Sequence, residues 1–426
     1  MLSLKKNISS GIVLQLISTA CIFLQIPISI NYLGIDNYGL WVVFYSVLML
    51  VMSFDLGLPN SFRNLLIESL TNDDKNLTDK IVSTTYFSFL LISIIIFFLI
   101  VLLYVFFGNS LISFLPLGLV ILVIFTTIID YNFKLSLSIF TAHQYSFIFP
   151  LSTSALNTLF LIEIFLFNYF DLFIFDSKLY TFCILFPITS LIVNSCISLI
   201  CFGIKFPELL PKTRSFSTKL IKPLLFSGAA FFVIQLSIAA LNQLSTLLIF
   251  SFSTSQFIAE VSIYDRVFGI ISFFGAVLFF PFWPKFTEKH SNGDYAWIKN
   301  TIKKLELFFI LVLIFTIILI YMMPFILKFW LNEEVEFNFL LSVLIALKYV
   351  FILFNSIYSY FLNAIGKLKI QIYCYSISAC LLIPFSSILN DFFGPYGIIL
   401  YSVIVFVVMS ISQKIFTNIY LNKAIN

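Results

Sequence analysis

Charged residues stranded inside apolar runs are the first candidates for chemistry in this sequence. At the centre of a bilayer each costs about 3 kcal/mol on insertion scales unless it meets a partner or a wet cavity. Arg266 follows Asp265 near the outer end of one run, and Lys348 lies near the middle of another. Cations reaching into a helical bundle create a positive cavity, for which phosphate or diphosphate is the natural guest. Arg63 is grouped with these two as a cavity cation, eight positions after Asp55 and beyond Gly57 and Pro59, where the run Leu40 to Phe54 ends. Three acids are candidates for ion coupling or gating: Asp55, Asp130 and Glu163. Asp130 precedes Lys134 by four, the spacing of a helical ion pair. Glu163 reads either as a protonatable coupling group or as a neutral, hydrogen-bonded acid. Each cation has a structural alternative. Arg266 can snorkel to the interface or pair with Asp265, and Lys348 can pair with an acid on a neighbouring helix.

No enzyme motif competes with this reading. GxxxxGK[ST], HExxH and GxSxG are all absent, and there are only two histidines, His143 and His290. The six cysteines lie inside apolar runs and form no CxxC pair, which disfavours a disulfide framework or a zinc site. A membrane glycosyltransferase or polymerase needs a long outer loop or domain, and the outer loops here are short. The sequence calls for no cofactor, no metal and no nucleic acid, and for no enzymatic activity.

The elements that position these charges are membrane spans. Apolar residues make up 61% of the chain and charged residues 10%, with mean hydropathy +1.07, so too little polar material exists to cover a soluble domain. A span needs ~20 apolar residues, and the runs give twelve: 10–33, 39–62, 81–107, 111–134, 144–168, 179–203, 223–250, 261–283, 304–327, 338–361, 370–390 and 395–419. The first is an uncleaved span, since no small-residue cleavage site follows it. Lys134 and His143 fall in a short polar gap between the fourth and fifth runs. Of the 24 Lys and Arg, only Lys178 and Lys328 lie in loops after odd-numbered spans. The termini and the even-numbered loops hold all the others except Arg266 and Lys348. The positive-inside rule then places both termini in the cytoplasm.

The largest loop, 205–222, separates an N-terminal lobe at 1–204 from a C-terminal lobe at 223–426. Ser10-Gly11 with Gln15 and Ser227-Gly228 with Gln235 give a faint echo of one lobe in the other, as in transporters built from parallel repeats. The inner loops 63–80 and 284–303 read as solvated connectors, with a helix lying on the membrane surface as the alternative. Prolines inside several spans are tolerated in a bundle, where neighbours satisfy the freed backbone groups.

Three stretches carry a family resemblance: LGIDNYGLW (33–41), SFDLGLPNSFRNLLIE (53–68) and IYDRVFGII (263–271). They resemble polysaccharide transporters of the Wzx type, the O-antigen and capsule flippases of the multidrug/oligosaccharidyl-lipid/polysaccharide (MOP) exporter superfamily. The resemblance implies an all-α, MATE-like membrane protein with two six-helix lobes in a V around a central cavity. It also implies movement of an undecaprenyl-diphosphate-linked oligosaccharide, an O-antigen or capsule repeat, from the inner to the outer leaflet of the bacterial cytoplasmic membrane by alternating access. On it, Arg266 is a cavity cation and Asp55-Leu56-Gly57 a motif at the inner end of the second helix. Membrane lipids, a coupling proton or sodium ion, and other polysaccharide-assembly membrane proteins are the partners it suggests. A cation-coupled drug antiporter on the same scaffold and a lipid II flippase are the alternatives.

Overall fold

The computed structural model describes residues 4–111, 114–274, 279, 282–331 and 335–425. Among them every regular element is a helix. A chain this apolar has little choice, because a helix satisfies its own backbone groups where no water can.

Two compact units divide the chain, Met1–Leu236 and Ser237–Asn426. The first holds α1 (Leu4–Leu33), α2 (Ile35–Met52), α3 (Leu58–Thr71), α4 (Lys75–Leu111), α5 (Leu117–Ala142), α6 (Ile148–Tyr169), α7 (Lys178–Ile200) and most of α8 (Thr218–Ala239). The second holds the end of α8, α9 (Ser245–Phe252), α10 (Ser255–Phe274), α11 (Phe282–Ser291), α12 (Tyr295–Leu331), α13 (Phe339–Ala364), α14 (Lys369–Phe393) and α15 (Tyr396–Ile425). A π-helical turn, Ala240–Leu244, leads from α8 into α9.

Among the described residues eleven helical segments are long and apolar enough to cross a membrane. The remaining predicted span, the eighth at 261–283, corresponds to α10, which is long enough but carries Glu260, Asp265 and Arg266. Its charges, not its length, set it apart.

The structure corrects the sequence reading in three places. The predicted second span, 39–62, stops at Met52; a tight turn follows, and α3 begins at Leu58. The predicted fourth span is displaced toward the C-terminus, so Lys134 lies inside α5 and not in a gap. Its ion pair with Asp130 makes that position tolerable. The inner connectors are not wholly solvated: α3 and α11 each bury an apolar face, with Leu58, Phe62 and Leu66 in one and Phe286 in the other.

Each unit has its own core. In the first, Phe62, Leu66, Phe89, Ile139 and Phe140 pack α3, α4 and α5 together. In the second, Leu382, Tyr401, Val405 and Met409 join α14 to α15. Buried hydroxyls on these helices mostly bond the carbonyl one turn back, as Thr85 does to Ile81 and Thr127 to Val123. They cost the apolar interior little.

Candidate functional site

In the second unit α10 is strongly two-faced. Ile263, Tyr264, Val267, Phe268 and Ile271 are at most 1% exposed, a stripe at helical spacing that packs into the unit. Asp265 and Arg266 fall on the flank that this stripe leaves over, and both are half-buried. Lys348 of α13 reaches that flank and places Nζ 2.6 Å from Asp265 Oδ1. The ammonium also lies 4.9 Å from the ring centroid of Tyr349, a cation–π contact. Tyr349 is a hydrogen-bonding neighbour of Asp265 and feels the charge of Arg266. Lys348 and Tyr349 therefore both bond Asp265, and with Arg266 next along α10 these three charged residues carry a formal surplus of one positive charge.

The same motif is fixed at a second point. The Asn338 backbone N–H donates to the Tyr264 hydroxyl at 2.8 Å. Asn338 caps α13 by accepting from the Leu341 amide at 3.0 Å and donates to Tyr396 at 2.6 Å. Tyr264 and Asp265 thus tie α10 to α13 at the cap and again along the helix. Sequence reasoning offered Arg266 as the partner of Asp265; the ion pair of Asp265 is with Lys348. Successive residues on a helix point about 100° apart, so sequence neighbours do not face each other. Among the described residues Arg266 has no ion pair, which leaves its charge available.

In the first unit Asp55 organises the turn after α2. Its Oδ1 accepts from the Gly57 amide at 2.7 Å, an Asx-type turn, and its Oδ2 from Gln235 Nε2 at 3.2 Å. Leu56 and Gly57 both have positive φ, 54° and 67°. A Cβ on Gly57 would sit 2.2 Å from the Gly228 carbonyl oxygen, so this glycine is required by both backbone angle and space. Burial pushes the Asp55 carboxyl above its ordinary range, against the bonds from Gly57 and Gln235 that lower it. Tyr131 adds a hydroxyl that donates to the Met52 carbonyl.

Asp130 is 1% exposed and fully partnered. It accepts from Lys134 Nζ at 3.0 Å, Ser190 Oγ at 2.7 Å and Asn194 Nδ2 at 2.7 Å. Ser152 in turn donates to Asn194 Oδ1 at 2.8 Å, so α5, α6 and α7 meet at one polar knot. Glu163 on α6 accepts a hydrogen bond from Thr189, the α7 residue beside Ser190. Arg63 on α3 is half-buried, and burial works against its charged form.

The site residues named from sequence therefore fall into separate groups. Arg266 and Lys348 are brought together, whereas Arg63, Asp55, Asp130 and Glu163 all belong to the other unit. Sequence reasoning missed Tyr349, although it adjoins Lys348, and the Glu306–Lys414 pair at 3.0 Å to which Tyr358 adds a hydrogen bond. Glu306 sits at the start of an apolar run, where a charge is unremarkable, and only the fold reveals its partners.

Residues 4–283 match the sequence profile of the family described as polysaccharide biosynthesis protein. Solved structures share the fold at low identity. A multidrug resistance MATE family transporter of the MOP superfamily in an inward-facing conformation aligns with TM-score 0.76 and 14% identity, over 97% of this chain and 98% of that one. The outward-facing conformation of such a transporter gives 0.60 at 14% identity, over 99% and 96%. A MOP superfamily transporter from Pyrococcus furiosus, described as having a binding pocket of reverse polarity, also gives 0.60 at 14%, over 99% and 97%. None of the curated proteins compared matches the sequence.

Proposed function

The chain belongs to the polysaccharide biosynthesis protein family and has the MATE-like fold of MOP transporters, and from that premise we propose that it is a flippase for lipid-linked oligosaccharide. Its substrate on this reading is an undecaprenyl-diphosphate-linked O-antigen or capsule repeat, carried from the inner to the outer leaflet of the bacterial cytoplasmic membrane. The observation that supports it is the cation surplus of Asp265, Arg266 and Lys348 on helices otherwise built for lipid. A diphosphate bears the charge that such a surplus attracts, and Arg with Lys supplies directional and point-charge donors together.

Arg266 and Lys348 hold the diphosphate on this proposal, and Arg63 is proposed as a further substrate-binding cation. Both termini face the cytoplasm, as the lysine distribution indicates. Of the three acids, Asp130 already has a lysine as its counter-ion. Glu163 and Asp55, which have neutral partners, are the candidates for coupling to a proton or sodium ion.

Cells lacking the gene provide the test. The reading expects undecaprenyl-diphosphate oligosaccharide to accumulate and surface glycan to disappear, both restored by the intact gene. Arg266→Ala and Lys348→Ala are expected to fail in restoration while reaching normal levels in the membrane. Unchanged glycan together with new sensitivity to cationic drugs would replace the flippase with an antiporter.

A further inference from the structure

Resting on the diphosphate reading above, we infer that Asp265 is the built-in counter-anion of that site, which surrenders Lys348 to the substrate and takes it back on release. The pair is placed where an unpartnered ammonium is hardest to tolerate. Lys348 lies roughly 13 Å along α13 from its first residue, too deep to make snorkelling to the nearer end straightforward. The bond to Asp265 at 2.6 Å therefore stabilises the lysine whenever no other anion is present.

A purely structural pair has reason to be sealed from its surroundings. This one is not: the Asp265 side chain is 31% exposed and Lys348 15%. Arg266, the next residue along α10, has no ion pair among the described residues and acts on Tyr349 through its charge, and Tyr349 hydrogen-bonds Asp265. A phosphate oxygen accepts from Lys, Arg and Tyr with the same geometry as a carboxylate oxygen. Diphosphate can thus take over every donor that Asp265 holds.

Exchange keeps the barrier low in both directions. Lys348 passes from one anion to another and never faces the cost of a buried, uncompensated charge. During departure Asp265 competes for the ammonium and drives the substrate off. The carboxylate accordingly weakens substrate binding while speeding turnover, which opposes the sign expected of a binding residue.

The test uses the purified full chain in lipid nanodiscs, with a prenyl diphosphate as probe and inorganic pyrophosphate and phosphatidylglycerol as competitors. Asp265→Asn is expected to tighten prenyl diphosphate binding by about tenfold, because one negative neighbour at contact distance is removed, and to slow its dissociation. Lys348→Ala is expected to weaken binding. Glycan export by Asp265→Asn is expected to fall despite the tighter binding. Asp265→Ser repeats the measurement should the amide variant fold poorly. Unaltered affinity in a folded Asp265 variant, with binding intact in the wild type, overturns the counter-anion role and leaves the flippase reading standing. Absence of prenyl diphosphate binding in the wild type overturns both. Competition by phosphatidylglycerol as strong as by pyrophosphate assigns the cluster to lipid headgroups and overturns the inference; pyrophosphate competition alone supports it.

Discussion

Gly57→Ala is the substitution whose cost the structure defines most sharply. The residue has φ 67°, and the left-handed region costs an L-residue with a Cβ about 1–2 kcal/mol. The new methyl would meet the Gly228 oxygen at 2.2 Å, its carbonyl carbon at 2.9 Å and its Cα at 3.1 Å. All three are backbone atoms of α8, so no side chain can swing aside, and such overpacking adds about 1–3 kcal/mol. The expected total is about 2–5 kcal/mol. Gly228→Ala probes the same crossing from the other side, where its Cβ meets the Leu56 oxygen at 2.8 Å and φ is not positive. It carries the steric part alone and is expected to cost about 1–3 kcal/mol. The double variant should fall short of the sum, since the first methyl already forces the backbones apart. Gly118→Ala in α5 is the control: nothing lies within 4 Å of its Cβ, and it should be neutral or stabilising. Melting of each purified variant in detergent reads the order. If Gly57→Ala melts with the wild type, or Gly118→Ala falls as far, the crossing is not the close contact described.

Three further outcomes are expected. Gly397→Ala brings a Cβ to 2.3 Å from the Leu389 oxygen where α14 turns into α15, and the melting temperature should fall by the equivalent of about 1–3 kcal/mol. Lys134→Met leaves the Asp130 carboxylate buried without counter-charge, at a cost of about 3–5 kcal/mol, whereas pairing it with Asp130→Asn removes the stranded charge. The double variant should therefore melt above Lys134→Met, and a lower melting point would refute the ion pair's role. Asp294, just before α12, accepts from Lys289 at 2.8 Å and from the Trp297 amide at 3.1 Å, and these bonds hold its carboxyl below the ordinary range. A depressed folded value means the cap is intact above the unfolded pKa of ~3.9 and is lost as pH falls through the lower folded one. Trp297 amide protection, corrected for intrinsic exchange, should hold from neutral pH to about 4 and decline below it, with no such decline in Asp294→Asn.

Hydropathy made most of the fold legible because the bilayer sets span length, and a run of apolar residues has few other uses. It failed where backbone geometry decides. The uncharged run ends at Phe54, yet apolar residues resume at Leu56 and carried the predicted span on to 62; the break comes from two left-handed residues and the bond from the Gly57 amide to Asp55. Lys134 looked like a loop residue because a charged lysine inside a membrane span is costly, and its cost is offset by a carboxylate one turn earlier. The candidate site was half readable. Position inside an apolar run singled out both Lys348 and Arg266, and motif resemblance pointed to Arg266 again. That Asp265 joins the two is a fact of how α10 packs on α13, which no spacing within either helix encodes. The polar knot of Asp130, Ser190, Asn194 and Ser152 was invisible for the same reason: its members come from three helices, and serine and asparagine carry no charge to draw attention.

The two units treat charge differently, and that difference bears on which of them meets an anion. In the first, each acid of the candidate set is supplied with donors from its own unit: Asp130 by Lys134, Ser190 and Asn194, Glu163 by Thr189, and Asp55 by Gly57 and Gln235. In the second, Asp265 pairs with Lys348 while Arg266 has no ion pair among the described residues, so these three carry one net positive charge. On the proposed reading, diphosphate is recruited by the second unit, and the named candidates for a coupling ion are acids of the first that lack a built-in cation. Asp130 is then the poorest choice, because a proton or sodium ion would have to displace Lys134. Asp55 is the more consequential one. Its ionised oxygens hold the Gly57 amide and Gln235 of α8, so neutralising it would loosen the turn that joins α2 to α3 and its tie to α8. A charge change at Asp55 would thereby become a change in how two helices are joined, which is the form that coupling has to take.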